Sequence, residues 1–188
     1  LPTKRITLNA AFIFSLILGL LGIFILSTIN FRCAFFGSLS CLIYVVGYTP
    51  LKTNTPLSGF IGAFPGAMPF MLGWVAVSNQ FSLETGILFA IQFLWQFPHF
   101  ISIAWVLDEE YKKAGFKMLF GGKKNKYPAI ISVITSLLMT FVSIIPYFYI
   151  IDLNLSIYSF IIILCLGFWF TLNSLKLYQN INDNSAKK

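Results

Sequence analysis

The stretch WQFPHFISIAWVLDEEYKKAGFKM, Trp95–Met118, decides the class of fold. It begins inside an apolar run that carries the chain's single histidine, His99. It then leaves that run into three consecutive acids, Asp108, Glu109 and Glu110, and six lysines follow by Lys126. A lone imidazole in an apolar segment, with a charged segment directly after it, reads as a membrane helix meeting an aqueous loop.

Composition points the same way. Of 188 residues, 57% are hydrophobic and 10% charged, with mean hydropathy +0.82. A soluble domain carries about 25% charge. The net charge of +7 does not indicate a nucleic-acid partner, because the lysines sit between apolar runs rather than among aromatics on a polar surface. Cys33, Cys41 and Cys165 lie in apolar runs without CxxC or metal-ligand spacing and read as small packing residues.

Six apolar segments are long enough for the roughly 20 residues a spanning helix needs. They cover about 8–30, 32–51, 59–79, 83–107, 128–150 and 155–175. Open strands leave backbone groups unsatisfied in lipid. The predicted fold is therefore all-α, a polytopic transmembrane helix bundle forming one domain over residues 1–188. Membrane lipid is its first partner. The basic n-region and cleavage site of a signal peptide are missing before the first run.

Charge orients the bundle. Twelve of the thirteen basic residues fall before segment one or after segments two, four and six, and only Arg32 lies in the alternate loops. The positive-inside rule then places the N-terminus, Lys52, the 108–127 loop and the C-terminus in the cytoplasm. The polar tail INDNSAKK is expected to be disordered.

Four features carry chemistry. Tyr48 and Lys52 are four apart at the end of segment two, and on a helix they share a face. A phenol and an ammonium side by side suit a diphosphate; they also suit an interfacial Tyr and a snorkelling Lys. Segment three, GFIGAFPGAMPFMLGW, has the GxxxG pair Gly62 and Gly66 for close packing. Its Pro65 and Pro69 predict a kinked, cavity-lining helix. In segment four, Gln92, Gln96 and His99 fall at i, i+4 and i+7, with Trp95 adjacent and Ser102 beyond. Such a stripe is expected to face the bundle interior, with His99 roughly 12 Å below the end of its helix. The imidazole is suited to ligate heme iron, shuttle a proton or bond a neighbouring helix. In the loop, Asp108 with Lys112 and Glu109 with Lys113 are i,i+4 pairs. Asp108 and Glu109 are weak candidates for Mg2+ beside a diphosphate, since three acids in a row cannot all face one ion. GGKKNK, Gly121–Lys126, lacks phosphate-loop spacing and reads as a topology determinant.

At YTPLK, GAFPGAMPFMLGW, WQFPHF and EEYKKAGFKML the chain closely resembles the heme O synthase (protoheme IX farnesyltransferase) branch of the UbiA-type membrane prenyltransferases. The likeness runs from Leu1 to about residue 178. It implies a nine-helix bundle with a polar cavity open to the cytoplasm, of which six helices, the third to the eighth, are expected here. It implies farnesyl transfer from farnesyl diphosphate to a vinyl group of heme b, with addition of water, giving heme o and diphosphate in the bacterial inner membrane. Mg2+ is the implied cofactor, heme b the acceptor substrate, and terminal-oxidase assembly proteins the implied partners.

By the same resemblance, Tyr48 and Lys52 match the diphosphate-contacting YxxxK, and His99 matches a histidine that is a candidate heme contact. Glu110, Tyr111, Ala114, Gly115 and Met118 match acid-Tyr-x-x-Ala-Gly-x-x-Met. Tyr48, Lys52 and Glu110 are thus the catalytic candidates; Gln92, Trp95, Gln96, His99 and Tyr111 are the substrate-binding ones. There are two departures. Glu110 stands where the branch usually has Asp, and the branch's Asp-rich motif is expected upstream of Leu1-Pro2. A quinone-type prenyltransferase, a non-catalytic heme-handling or transport protein, and an inactive fragment are the competing readings.

Overall fold

The computed structural model describes residues 6–149 and 152–186. Lys4, Arg5, Lys187, Lys188 and the Leu1-Pro2 pair lie outside the described residues. Within them every regular element is a helix and no strand is present.

Six helical spans are long and apolar enough to cross a membrane. The first is α1, Leu8–Ile29. The second runs Phe31–Asn54 and consists of α2, Phe31–Leu42, a π-helical turn, Ile43–Tyr48, and α3, Thr49–Asn54. The remaining four are α4, Ser58–Ser78; α5, Leu83–Val106; α7, Lys126–Phe148; and α8, Ile157–Gln179. The short helices α6, Asp108–Lys113, and α9, Asp183–Ala186, lie between and after them. Packing is sequential: α1 on α2, α2 on α4, α4 on α5, α5 on α7 and α7 on α8.

Polar residues mark the turns. Asn30 breaks the first two spans by taking an extended conformation; its Oδ1 caps the Cys33 N–H at 2.8 Å, and its Nδ2 donates to the Val75 carbonyl at 3.0 Å. One side chain thereby caps α2 and ties it to α4. Asn79 ends α4 at φ 50°, and Arg32 donates to its carbonyl at 2.9 Å and its Oδ1 at 3.0 Å. The one basic residue of the alternate loops is therefore a structural staple. Ser82 and Thr85 form the capping box that starts α5.

Two cores hold the bundle. Cys33, Met68, Met71 and Val75 join α2 to α4. Ala63, Phe97, Ile101, Trp105, Phe120 and Ala129 join α4, α5 and α7. A ladder of phenylalanines crosses the α4–α5 interface, with Phe64–Phe93 centroids 5.0 Å apart, Phe93–Phe97 5.3 Å and Phe97–Phe120 5.8 Å. Each such pair adds about 0.5–1.5 kcal/mol beyond the area it buries.

α4 runs from Ser58 to Ser78 with Pro65 and Pro69 inside it, and Gly62, Pro65 and Gly66 line a cavity, as expected of this segment. Pro69 removes the donor for the Pro65 carbonyl, and Ser40 Oγ on α2 supplies one at 3.4 Å. One expectation changes: the tail is ordered as far as Ala186. Ala186 is buried in the main core, its carbonyl accepts from Ser102 Oγ, and Asp183 pairs with Lys124 at 2.8 Å.

Candidate functional site

The π-turn places the first site residue. Pro50 has no N–H and its ring crowds the carbonyl one turn back, so the helix widens before it. Thr49 stabilises the wide turn by donating its hydroxyl to the Tyr44 carbonyl at 2.9 Å. Tyr44 and Tyr48 then lie on one side, with centroids 5.1 Å apart. Tyr48 presses on α4 where Gly62 leaves room: a Cβ there would come within 2.8 Å of the Tyr48 ring. Gln96 presses on the same helix one turn further, where a Cβ on Gly66 would run into Gln96 Oε1. The GxxxG pair therefore seats two side chains from neighbouring helices, and it does so by lacking Cβ atoms.

Between these side chains lies a cavity of about 600 Å³, lined by Tyr44, Tyr48, Gly62, Gly66, Gln96 and Phe100 among others, and by Met118 from the loop. Gln96 is buried and oriented by its Nε2, which donates to the carbonyls of Ala63 at 2.9 Å and Gln92 at 3.2 Å. Gln92 is half-buried and outside this lining.

Lys52 is drawn to the same place from α3. Its Nζ lies 5.8 Å from the Tyr48 ring centroid and 4.9 Å from that of Phe116. The loop after α6 docks on it: Lys117 N–H donates to the Lys52 carbonyl at 2.8 Å, and Lys117 Nζ to the Asn54 carbonyl at 3.2 Å. Gly115, at φ 75°, lets the chain turn back here, and Phe116 N–H closes on the Tyr111 carbonyl at 2.8 Å. YxxxK and EEYKKAGFKM, far apart in sequence, thus form one end of the cavity. Lys52 makes no ion pair among the described residues.

The acids behave differently from one another. Asp108 is buried and bonds Lys112 at 2.7 Å, holding the Lys112 ammonium above the usual lysine range. Glu109 is exposed and reaches Lys112 only at 3.9 Å, so the expected Glu109–Lys113 pair is replaced. Glu110 is exposed and unpaired among the described residues. No three His, Cys, Asp or Glu side chains converge among the described residues.

The polar stripe on α5 divides. Gln96 faces the large cavity, whereas His99 is exposed and stacks on Trp95 with centroids 4.6 Å apart and planes 17° apart. His99 and Trp95 line a separate cavity of about 150 Å³ with Ser102, Ser132, Asn173 and Ser174, between α5, α7 and α8. The cause is the 100° step of the helix: residues at i+4 and i+7 diverge by about 60°. That angle is enough to separate two cavities when α4 flanks one side and α7 the other.

The scan against family models matches residues 1–188 to the UbiA prenyltransferase family. The chain belongs to that family. Among curated relatives, the protoheme IX farnesyltransferase of Flavobacterium psychrophilum is 50% identical over 188 residues, which covers 100% of this chain and 63% of the relative. The protoheme IX farnesyltransferase of Christiangramia forsetii is 47% identical over 189 residues, again 100% and 63%. That of Flavobacterium johnsoniae is 43% identical over 184 residues, 97% of this chain and 61% of the relative. The chain thus spans somewhat under two thirds of the length of these relatives. No solved structure matches it. Six apolar spans in a UbiA prenyltransferase make it an integral, multi-pass membrane protein.

Of the sequence candidates, Tyr48 and Gln96 line the large cavity, and Lys52 and Tyr111 meet at the docked loop beside it. Trp95 and His99 stand apart on the other flank of α5. Sequence reading missed Tyr44, Ser40 and Phe100. The signal for the first two was present, since 40, 44 and 48 repeat every four residues.

Proposed function

We propose that this chain carries much of a heme-prenylating site in a bacterial inner membrane, with its lysine-rich end facing the cytoplasm. The observation that supports it best is Lys52, unpaired and held by the docked 111–118 loop at one end of an apolar cavity. A fixed cation at the end of an apolar chamber is complementary to an isoprenoid diphosphate. The names of the relatives supply the donor and acceptor classes, farnesyl and protoheme IX.

In the proposed reaction the C1–O bond of farnesyl diphosphate breaks, and its electron pair leaves with diphosphate. The terminal carbon of a heme b vinyl group bonds to C1. The cation left on the adjacent carbon takes the oxygen of a water molecule, which releases a proton, and heme o results. Lys52 neutralises the leaving diphosphate, and the Tyr48 hydroxyl donates to it. The apolar cavity keeps water from the allylic cation, and the rings of Tyr44, Tyr48 and Phe100 offer their faces to it. Most other aromatic residues near α5 are taken up by the phenylalanine ladder. The stacked rings of Trp95 and His99, on the other flank of α5, form a flat aromatic edge that suits a porphyrin; Gln96 walls the prenyl cavity, and Gln92 and Tyr111 lie beside it, outside its lining. The vinyl group is a weak nucleophile, so holding it near C1 carries much of the rate.

Mg2+ is the family's expected ion, but the acids of this chain do not by themselves fit one. Asp108 is committed to Lys112, and Glu109 and Glu110 stand in solvent. Of the three loop acids, Glu110 is the one outside the Lys112 pairings, and it is the carboxylate assigned a catalytic role in this reading.

Acceptor choice tests this reading. Membranes with the full-length protein and farnesyl diphosphate should prenylate heme b and leave aromatic acids untouched. Prenylation of an aromatic acid instead of heme b would move the chain to the quinone-type branch.

A further inference from the structure

The cavity beneath Tyr48 has two ends. Tyr48, Gly59 and Met118 line it at the lysine-rich end, and Gly37, Ser40 and Gly66 line it at the other. The helical path from Tyr48 back to Gly37 is roughly 15 Å, at 1.5 Å per α-helical residue and slightly less through the π-turn. Lys52 stands one turn outside the lining. A prenyl diphosphate held at Lys52 would point its chain along this cavity toward the Gly37–Gly66 end.

The residues at the far end differ in what they can do. A Cβ on Gly37 would run into Leu26 Cδ1, so a side chain there is turned toward α1 and away from the cavity. A Cβ on Gly66 would meet Gln96. Ser40 is different. Its Oγ reaches the Pro65 carbonyl at 3.4 Å, so this side chain crosses from α2 toward α4 about one turn above Gly37. It is half-buried and lines the cavity. Only a small side chain leaves the last turn of the cavity open at this point.

We propose that Ser40 sets the length of prenyl chain the cavity accepts, by leaving open the turn between itself and the Gly37–Gly66 floor. This rests on the reading of the cavity as the prenyl diphosphate site. The role is one of specificity; Ser40 takes no part in bond making.

The test is kcat/KM for geranyl, farnesyl and geranylgeranyl diphosphates, with heme b as acceptor, in membranes carrying the full-length protein. Ser40→Leu should raise the geranyl-to-farnesyl ratio at least about tenfold, the usual discrimination of a filled apolar pocket. Ser40→Ala keeps the cavity open and should preserve the farnesyl preference. Cys165→Leu, at an exposed position on α8, is the matched control and should leave the ratio unchanged. An unchanged ratio in Ser40→Leu would overturn the chain-length role while leaving prenyl transfer standing. If Ser40→Leu is inactive with all three donors, Ser40→Val decides: a smaller shift in the same direction supports the proposal and no shift overturns it. Wild-type protein that transfers no prenyl group would instead remove the reading beneath it.

Discussion

Lys52 is the residue on which the proposed chemistry turns, because it is a cation near an apolar cavity without an acid beside it. Among the described residues its ammonium meets the faces of Tyr48 and Phe116 and no carboxylate. Lys52→Ala is expected to raise KM for farnesyl diphosphate about 10- to 100-fold, the worth of one charge-assisted contact of about 1.5–3 kcal/mol. Steady-state kinetics on membranes checks this, and an unchanged KM and kcat would remove Lys52 from the diphosphate. His99 makes a separate test, since it sits on the other flank of α5 from Tyr48 and Gln96. His99→Ala should greatly reduce heme prenylation while membrane insertion, followed by immunoblot, stays at the wild-type level. Wild-type product yield from that variant would make the histidine structural. The pairing of a histidine with two glutamines was legible in the sequence; its division between two cavities was not. Spacing gives angles around one helix, whereas the cavity each angle meets depends on where α4 and α7 pack.

At the scale of elements, α4 is the platform. Its glycines receive Tyr48 from the second span and Gln96 from α5. Gly62→Ala puts a methyl group within 2.8 Å of the Tyr48 ring and should displace the phenol. We expect kcat/KM to fall about tenfold, roughly 1.4 kcal/mol of transition-state stabilisation. Thermal unfolding in detergent should be little changed. Gly73→Ala on the same helix, with nothing within 4 Å of the added Cβ, should affect neither. Equal effects at the two positions would show that α4 tolerates no added methyl, rather than that Gly62 seats Tyr48. The GxxxG pattern itself was readable. Its partners were not, because small residues announce a close approach without saying what approaches. The π-turn was likewise hidden: Pro50 announces an irregular end, but it does not say that the helix will widen.

For the whole molecule, hydropathy and charge carried most of the information. Six apolar runs separated by charged or turn-forming residues specify six helices in lipid, since the backbone has few other ways to satisfy itself there. The structure gathers Lys52, the 112–126 lysines and Lys176 at one end, tied together by Lys117 to Asn54 and by Lys124 to Asp183. Arg32, Asn79, Glu84 and Asp152 occupy the other end, where Asp152 N–H donates to Glu84 at 3.1 Å. The folding back of residues 183–186 onto α5 was not legible, because a short polar tail gives no pattern and Ala186 finds its place only in the assembled core. The central claim, that this assembly holds a prenyl diphosphate against heme, is tested most directly by product analysis. Membranes containing the full-length protein, supplied with heme b and farnesyl diphosphate, should yield a species with the mass of heme o, lost when farnesyl diphosphate is omitted. Intact, inserted protein that gives no heme o under these conditions would contradict it.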